Sequence, residues 1–286
     1  MAKNKSVTLS RSTGGSVLIF VFLAIVSVFM MMPLYYSVVQ SLKPIDEIFI
    51  YPPKLYVKRP TFENFSTLYQ LAGNLTVPFS RYLFNSIFVT IVGTGLYLFI
   101  ATMAGYALAK GKHRGNNLLY VLVVLAMLFR PEVTAIPVYL IVSFFGMLDS
   151  YWALILTQLS GTMGVFLIRQ YVISAIPDAT LEAARIDGAS EFKIFTKIAL
   201  PGIKPAIMTV MIFTFQGIWN SSGTQQYVFS EDLKVLPQVL STVAAGGIAR
   251  AGAAAAVSVV MRIPPIAVFL WSQRSVMDTM THSGLK

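Results

Sequence analysis

The sequence predicts an all-α, polytopic membrane protein with six transmembrane helices, and three observations support this fold class. Only 12% of the 286 residues are charged and 56% are hydrophobic, whereas a soluble domain carries about 25% charged residues. Three long stretches, residues 16–42, 83–109 and 150–168, contain no charged side chain. A helix needs about 20 such residues to cross the hydrocarbon core of a bilayer. The apolar stretches are therefore predicted to be membrane spans.

Six predicted spans follow the apolar stretches in chain order. The third is interrupted by the triplet Arg130-Pro131-Glu132. The segment Val235–Ala249 is also apolar, but it is short for a crossing and holds two glycines, so we predict that it is re-entrant or extracellular. The predicted spans are Ser16–Val38, Leu83–Ala109, Leu118–Gly146, Tyr151–Arg169, Ala206–Gln226 and Gly252–Gln273.

The distribution of basic residues predicts that both termini lie in the cytoplasm. Most of the 22 Lys and Arg residues fall in the terminal segments and in the loops after spans two and four, and membrane proteins concentrate such residues in cytoplasmic loops. We therefore divide the chain into a cytoplasmic N-terminal segment, 1–15, and a membrane domain, 16–286. That domain includes an extracellular loop, 39–82, which we expect to be folded, and a cytoplasmic loop, 174–204.

Composition and motifs argue against several functional classes. The net charge of +10 does not indicate nucleic-acid binding, because no basic run with interleaved aromatic residues is present. Cysteine is absent and the two histidines have no metal-ligand spacing, so no metal site is predicted. The chain has neither a G-x-x-x-x-G-K-[ST] phosphate loop nor a visible nucleophile–base arrangement. We therefore predict a chain that is not an enzyme and has no cofactor of its own.

The 174–204 loop has the pattern of two helices joined at a glycine corner. Pro177 and Asp178 suit the first turn of a helix, and Gly188 suits its C-terminal end. Ser190 can cap a second helix, which we expect Pro201 to end. A short helix fixed to two membrane spans can transmit a displacement from a soluble partner. An ordinary amphipathic surface helix is the alternative that periodicity leaves open.

Part of this loop resembles the EAA motif of bacterial ABC importer permeases. The matching residues, at the expected spacing, are Glu182, Ala183, Ala184, Gly188, Ile198, Leu200 and Pro201. Other segments, such as Trp219-Asn220, resemble the carbohydrate-uptake branch, on the side of the maltose-type second permease subunit. The resemblance covers about residues 16–286 and implies the type I ABC importer permease fold.

The resemblance also implies partners and a location. Segment 177–188 would be the coupling helix that docks on a separate ATPase, and two such ATPase subunits would bind the ATP and Mg²⁺. A second permease subunit, a different chain by family analogy, and an extracellular solute-binding protein would complete an importer in the bacterial plasma membrane. The residues assigned to ATPase docking are Glu182, Ala183, Ala184, Arg185, Asp187, Gly188, Ile198, Leu200 and Pro201.

Charged and polar residues within the spans are candidates for the substrate pathway. A charge inside the bilayer is costly, so such residues usually face the bundle interior or a water-filled cavity. Arginines there could meet carboxylates of an acidic oligosaccharide. Alternatively, they could be structural, with Arg130 at the outer membrane boundary or paired with Glu132 or with a partner subunit. The candidate pathway residues are Arg130, Glu132, Asn220, Gln225 and Arg262.

Two other functional classes fit the sequence less well. An ion-coupled secondary transporter would need carboxylates near the midplane and usually internal repeats, but Glu132 is the one intramembrane carboxylate and no repeat is visible. A membrane-embedded enzyme would need a catalytic constellation. The sequence does not identify the transported sugar. It also does not show whether the permease pairs with a second copy of itself or with a different chain.

Overall fold

The computed structural model describes residues 13–73, 77–221, 226–247 and 250–283, and every regular element within these ranges is helical. The all-α fold class is therefore confirmed. The helices are α1 Thr13–Ser41, α2 Ile45–Ile48, α3 Glu63–Gly73, α4 Phe79–Lys110, α5 Asn116–Ala126, α6 Pro131–Phe144, α7 Tyr151–Leu156, α8 Met163–Ala175, α9 Asp178–Ile186, α10 Glu191–Ile194, α11 Leu200–Gly202, α12 Lys204–Trp219, α13 Leu236–Ala244 and α14 Ala251–Ser283. Short 3-10 helices lie at Thr157–Ser160 and Glu231–Leu233, and a π helix lies at Phe195–Ala199.

Among the described residues, three helices are long and apolar enough to cross a membrane. They are α1, α4 and the part of α14 that runs from Ala251 to Gln273, and they contain the predicted spans one, two and six. The number rises to five if each of two bent helix pairs is one span. Tyr151–Ser160 meets Met163–Ala175 at 44°, and Glu191–Gly202 meets Lys204–Trp219 at 75°.

The predicted third span consists of two shorter helices, α5 and α6. The break lies at the charged triplet, where Arg130 has extended backbone and Pro131 begins α6. A residue before proline disfavours the helical conformation, which explains why the helix is interrupted there. With 11 and 14 residues, neither helix is long enough to cross a bilayer alone.

The prediction that span five reaches Gln226 is wrong. Helix α12 ends at Trp219 and Asn220 is its C-cap, because the apolar run stops there and polar residues follow. Gln225 lies outside the described residues. The predicted re-entrant or extracellular segment contains α13, whose nine residues are too few for a crossing.

Helix α4 contacts other helices near both of its ends. Near its C-terminal end it meets α8, where a Cβ atom on Gly105 would lie 2.7 Å from Ile168. Glycine therefore permits a close approach of the two helices, as small residues commonly do in membranes. Near its N-terminal end, Tyr82 lies in a buried cluster with Trp219 and Leu236. Helix α4 thus links the 174–204 loop to the opposite end of the bundle.

The 39–82 loop is folded over its described residues, as expected. The buried Lys43 donates from Nζ to the Lys54 carbonyl at 2.6 Å. The buried Glu47 accepts the Lys58 backbone N–H at 2.8 Å. The Asn64 amide donates to the carbonyls of Ser41 and Lys43 at 2.8 and 2.7 Å. These bonds supply partners for polar groups that would otherwise be buried without one.

Candidate functional site

The 174–204 loop has the predicted helix, glycine corner and second helix. Asp187 is the C-cap of α9, and Gly188 has a φ of +78°, a left-handed conformation that favours glycine. The Gly188 N–H donates to the Arg185 carbonyl and the Ala189 N–H donates to the Ala184 carbonyl, each at 3.0 Å. This pair of bonds is the Schellman ending of a helix. Ser190 then caps α10, as predicted, by accepting the backbone N–H of Lys193.

The prediction that Pro201 ends the second helix is wrong. The chain remains helical from α10 through the π helix Phe195–Ala199 to α11 and then bends at Ile203. In a regular α-helix the Pro201 ring would clash with the Lys197 carbonyl, four residues earlier. The wider π turn precedes Pro201 and provides room for it.

The residues assigned to ATPase docking differ in how far their side chains are exposed. Ala184 is buried against the other residues of the loop together with Leu181 and Ile194, so any effect of Ala184 on a partner would be indirect. Pro201 is exposed, whereas Ile198 and Leu200 are half-buried. The docking roles stay a prediction. The remaining assigned residues are all exposed: Glu182, Ala183, Arg185, Asp187 and Gly188.

Two exposed apolar side chains flank the glycine corner and were missed in the sequence. Ile186 is 86% exposed and Phe192 is 75% exposed. Single exposed apolar side chains are common, but two that flank one corner are candidates for an interaction surface. Both lie within the EAA-like segment, one on each side of Gly188, and this position was the available signal. However, their exposure depends on how α9 and α10 pack, and this packing could not be predicted from the sequence.

Two ion pairs fix the loop. Arg185 and Glu191 meet across the corner through two hydrogen bonds of 2.6 and 3.3 Å. Lys110, the last residue of α4, donates from Nζ to the Ile176 carbonyl and to Asp178 Oδ1, both at 2.7 Å. The hydrogen bond from Lys110 lowers the pKa of the Asp178 carboxyl. The start of α9 is therefore tied directly to α4.

A second candidate region is a cavity of about 890 Å³ beside the α5–α6 break. Glu132 lies in its wall together with polar groups of residues 157–162 and with Tyr227. Arg130 Nε lies 3.4 Å from Glu132 Oε2, and both side chains are exposed. The pair therefore carries no net charge, which matches the structural alternative for Arg130.

The two other pathway residues that the structure describes lie at a different cavity, of about 620 Å³, between α1, α12, α13 and α14. Asn220 and Arg262 both line it. Arg262 is exposed and forms no ion pair with any described residue. The structure thus brings Asn220 together with Arg262, but it places Glu132 in the other cavity.

Three long-range hydrogen bonds that sequence reasoning missed lie beside these cavities. Trp219 Nε1 donates to the Met261 carbonyl at 2.9 Å, next to Arg262. The Tyr97 hydroxyl donates to the Gly161 carbonyl and accepts the Gly164 N–H, each at 2.9 Å. The glycines lie at the 44° bend between Tyr151–Ser160 and α8. Tyr97 therefore provides partners for the backbone groups that the bend leaves free.

Comparisons with known proteins agree on one family. The family model described as "binding-protein-dependent transport system inner membrane component" matches residues 98–280. The arabinooligosaccharide transport permease AraQ of Bacillus subtilis (strain 168) is 30% identical over 93% of this chain and 94% of its own length. Protein LplC of the same strain is 43% identical over 51% of this chain, and the match spans 48% of LplC.

A solved structure has the same fold. The crystal structure of a bacterial ABC transporter involved in import of the acidic polysaccharide alginate includes a chain that matches with a TM-score of 0.73 at 22% identity. The match covers 93% of this chain and 99% of that one. This likeness supports the type I importer permease fold expected from the sequence. The chain belongs to the binding-protein-dependent transport system inner membrane components, and within them it is a non-catalytic permease subunit of the carbohydrate-importing ABC transporters.

Proposed function

We propose that the chain forms one membrane-spanning half of an ATP-driven importer for an oligosaccharide, with α9 docked on a separate ATPase. The observation that carries the ATPase contact is the exposed surface around the glycine corner. It presents Ile186 and Phe192 beside the EAA-like residues, and Lys110 holds the start of α9 on α4. A displacement of α9 by a partner would therefore reach α4 without an intervening flexible linker.

The remaining partners and the location follow from the family. Two ATPase subunits bind ATP and Mg²⁺, a second and different permease chain forms the other half, and an extracellular binding protein delivers the sugar. The chain crosses the bacterial plasma membrane six times, with both termini in the cytoplasm. Helix α1 supports this placement, because its apolar window has no buried residue and is free to face lipid or the second permease.

The proposed substrate is an acidic oligosaccharide. Support comes from Arg262 in span six, which forms no ion pair with a described residue. One relative is named for such a sugar: YtcP of Bacillus subtilis (strain 168), described as a polygalacturonan/rhamnogalacturonan permease, is 30% identical over 78% of this chain and 75% of its own length. Polygalacturonan is a polymer of a uronic acid and therefore carries carboxylates.

Copurification tests the ATPase contact. A tagged chain should retain an ATPase subunit, and Ile186→Asp should weaken that association because it puts a charge into an apolar contact. Phe62→Asp is the matched control, because Phe62 is 76% exposed but lies in the 39–82 loop. Equal ATPase recovery from both variants would contradict docking at α9. Sugar uptake that follows an ion gradient without ATP would instead support a secondary transporter.

A further inference from the structure

Arg262 is a mid-span charge that forms no ion pair with the part of the chain that the structure describes. It lies halfway along the apolar segment Ala251–Gln273, its side chain is exposed, and it forms no ion pair within the described residues. A guanidinium at this depth faces water, a cavity or an anion in the assembled protein, because contact with lipid tails is costly.

The surroundings of Arg262 are suited to a sugar. Gln216 and Asn220, one turn apart on α12, line the same cavity, and the structure shows no hydrogen bond from either side-chain amide to another described group. Ser241 and Ser258 also line it, and their hydroxyls donate to carbonyls within their own helices, at 2.7 and 3.0 Å. The serine oxygens therefore remain as acceptors and the amides supply donors, a combination that can bind sugar hydroxyls.

The backbone that carries Arg262 is held in place. The preceding carbonyl, of Met261, accepts the Trp219 indole N–H, so α14 is attached to α12 beside the cavity. A guanidinium on a fixed backbone is well suited to a carboxylate, to which it can donate two parallel hydrogen bonds.

Arg130 is the weaker candidate for the same role. Its charge is balanced by Glu132 at 3.4 Å, and Glu132 lines the larger cavity. A substrate carboxylate at that position would meet a carboxylate of the protein. The two cavities therefore differ in charge, and the cavity beside α14 is the one that favours an anion.

We propose that Arg262 binds a carboxylate of the transported oligosaccharide, while the amides and serines around it bind neighbouring hydroxyls. The assignment rests on the proposed function, and it selects Arg262 over Arg130 as the residue that determines preference for an acidic sugar. It also locates this contact between α12, α13 and α14.

The test compares two sugars that differ at C6, where one has a charged carboxylate and the other a neutral hydroxymethyl group. Trigalacturonate and its carboxyl-reduced counterpart, trigalactose, are added to the detergent-purified permease–ATPase complex without the binding protein, and the thermal shift that each produces is measured. We expect trigalacturonate to stabilise the wild-type complex, and its apparent affinity to fall about tenfold or more in Arg262→Gln. Arg262→Lys should retain part of that affinity, because the charge remains but the planar fork is lost.

Arg250→Gln is the matched control, since Arg250 immediately precedes α14 and is exposed; it should bind like the wild type. Equal loss in both Gln variants, or binding of trigalacturonate by Arg262→Gln as tight as by the wild type, would overturn the assignment. So would a wild-type complex that binds trigalactose but not trigalacturonate, or one that binds neither.

Uptake in cells distinguishes failure of the Arg262 assignment from failure of the proposed importer function. ATP-dependent uptake that is confined to neutral sugars overturns the Arg262 assignment and leaves the importer function intact. Uptake that needs neither ATP nor a binding protein contradicts the proposed function itself. Failure of Arg262→Gln and Arg262→Lys alike to assemble with the ATPase indicates a structural contact with a partner subunit, which also overturns the assignment.

Discussion

The indole N–H of Trp219 donates to the backbone carbonyl of Met261, at 2.9 Å. That carbonyl has lost its usual helical partner, because the residue four positions later is Pro265, which has no N–H. A side chain of α12 thus provides the hydrogen bond that the proline removes from α14. The Trp219 ring also stacks on Phe215, with centroids 6.1 Å apart.

We predict that Trp219→Phe lowers the free energy of unfolding by about 1 kcal/mol, because the ring can still pack but the Met261 carbonyl loses its donor. Thermal unfolding of the purified complex measures this. In a Pro265→Ala background the same change should cost less, since the new backbone N–H can bind the carbonyl. Trp271→Phe is the control, because Trp271 is 72% exposed. An equal cost of Trp219→Phe in both backgrounds would contradict the explanation.

Gly188 provides a second prediction. Its φ of +78° is unfavourable for a residue with a side chain, although a Cβ atom there would meet no neighbour within 4 Å. Gly188→Asp should reach the membrane at normal levels, because aspartate is one of the few residues that adopt left-handed backbone, but it should reduce sugar-stimulated ATP hydrolysis by adding a charge to the exposed surface around the glycine corner.

Gly188→Asn isolates the effect of the charge, because asparagine tolerates the left-handed conformation as aspartate does but is uncharged. It should retain more coupling than Gly188→Asp. ATPase stimulation and membrane level are measured for both variants. Wild-type coupling in Gly188→Asp would show that neither the conformation nor the surface matters.

The Lys110–Asp178 pair predicts a pH effect on stability. Lys110 holds the pKa of Asp178 below its ordinary value, so the pair stabilises the fold when the carboxyl is ionised. This contribution is present above the unfolded pKa, near 4, and is lost as the pH falls through the lower folded value. Asp178→Asn should therefore lower the melting temperature at pH 7, and the gap to wild type should narrow below about pH 4.

Asp232→Asn is a suitable comparison, because Asp232 is exposed and forms no ion pair with a described residue. Its melting temperature should follow that of the wild type at each pH. A gap between wild type and Asp178→Asn that stays constant down to pH 3 would show that the ionised pair contributes nothing.

Cysteine labelling checks the topology, since the chain contains no cysteine. Tyr51→Cys, at a site that is 92% exposed in the 39–82 loop, should react with a membrane-impermeant maleimide in sealed cells. Lys197→Cys, in the 174–204 loop, should react only after the cells are permeabilised. Labelling of Lys197→Cys from outside would refute the six-span arrangement with cytoplasmic termini.

Features set by local chemistry were predictable. Pro177, Gly188 and Ser190 specify the start of one helix, its end and the cap of the next within a few residues, and the structure confirms all three. The end of span five was misplaced because the predicted span extended through the polar residues that follow Trp219, although the apolar run stops there. The helix near Pro201 continues because a π turn makes room for the ring, which a stop signal alone does not reveal.

Features set by tertiary packing were not predictable. The sequence left open whether Arg130 lies in the substrate pathway or pairs with Glu132, and only the folded chain shows that this pair forms and that Arg262 has no ion pair with a described residue. Likewise, the Tyr97 hydroxyl meets glycines more than 60 residues away. No periodicity encodes such a contact.

The double hydrogen bond of Tyr97 has a mechanical consequence. Because the hydroxyl both donates to Gly161 and accepts from Gly164, the bend of span four cannot straighten without breaking away from α4. Helices α4, α7 and α8 therefore behave as one rigid block, to which Lys110 attaches the start of α9. The cavity wall formed by α5 and α6 is the compliant part: α5 has no buried residue, and the chain between the two helices is broken at Arg130. We expect the cavity to open and close by movement of this wall relative to the block.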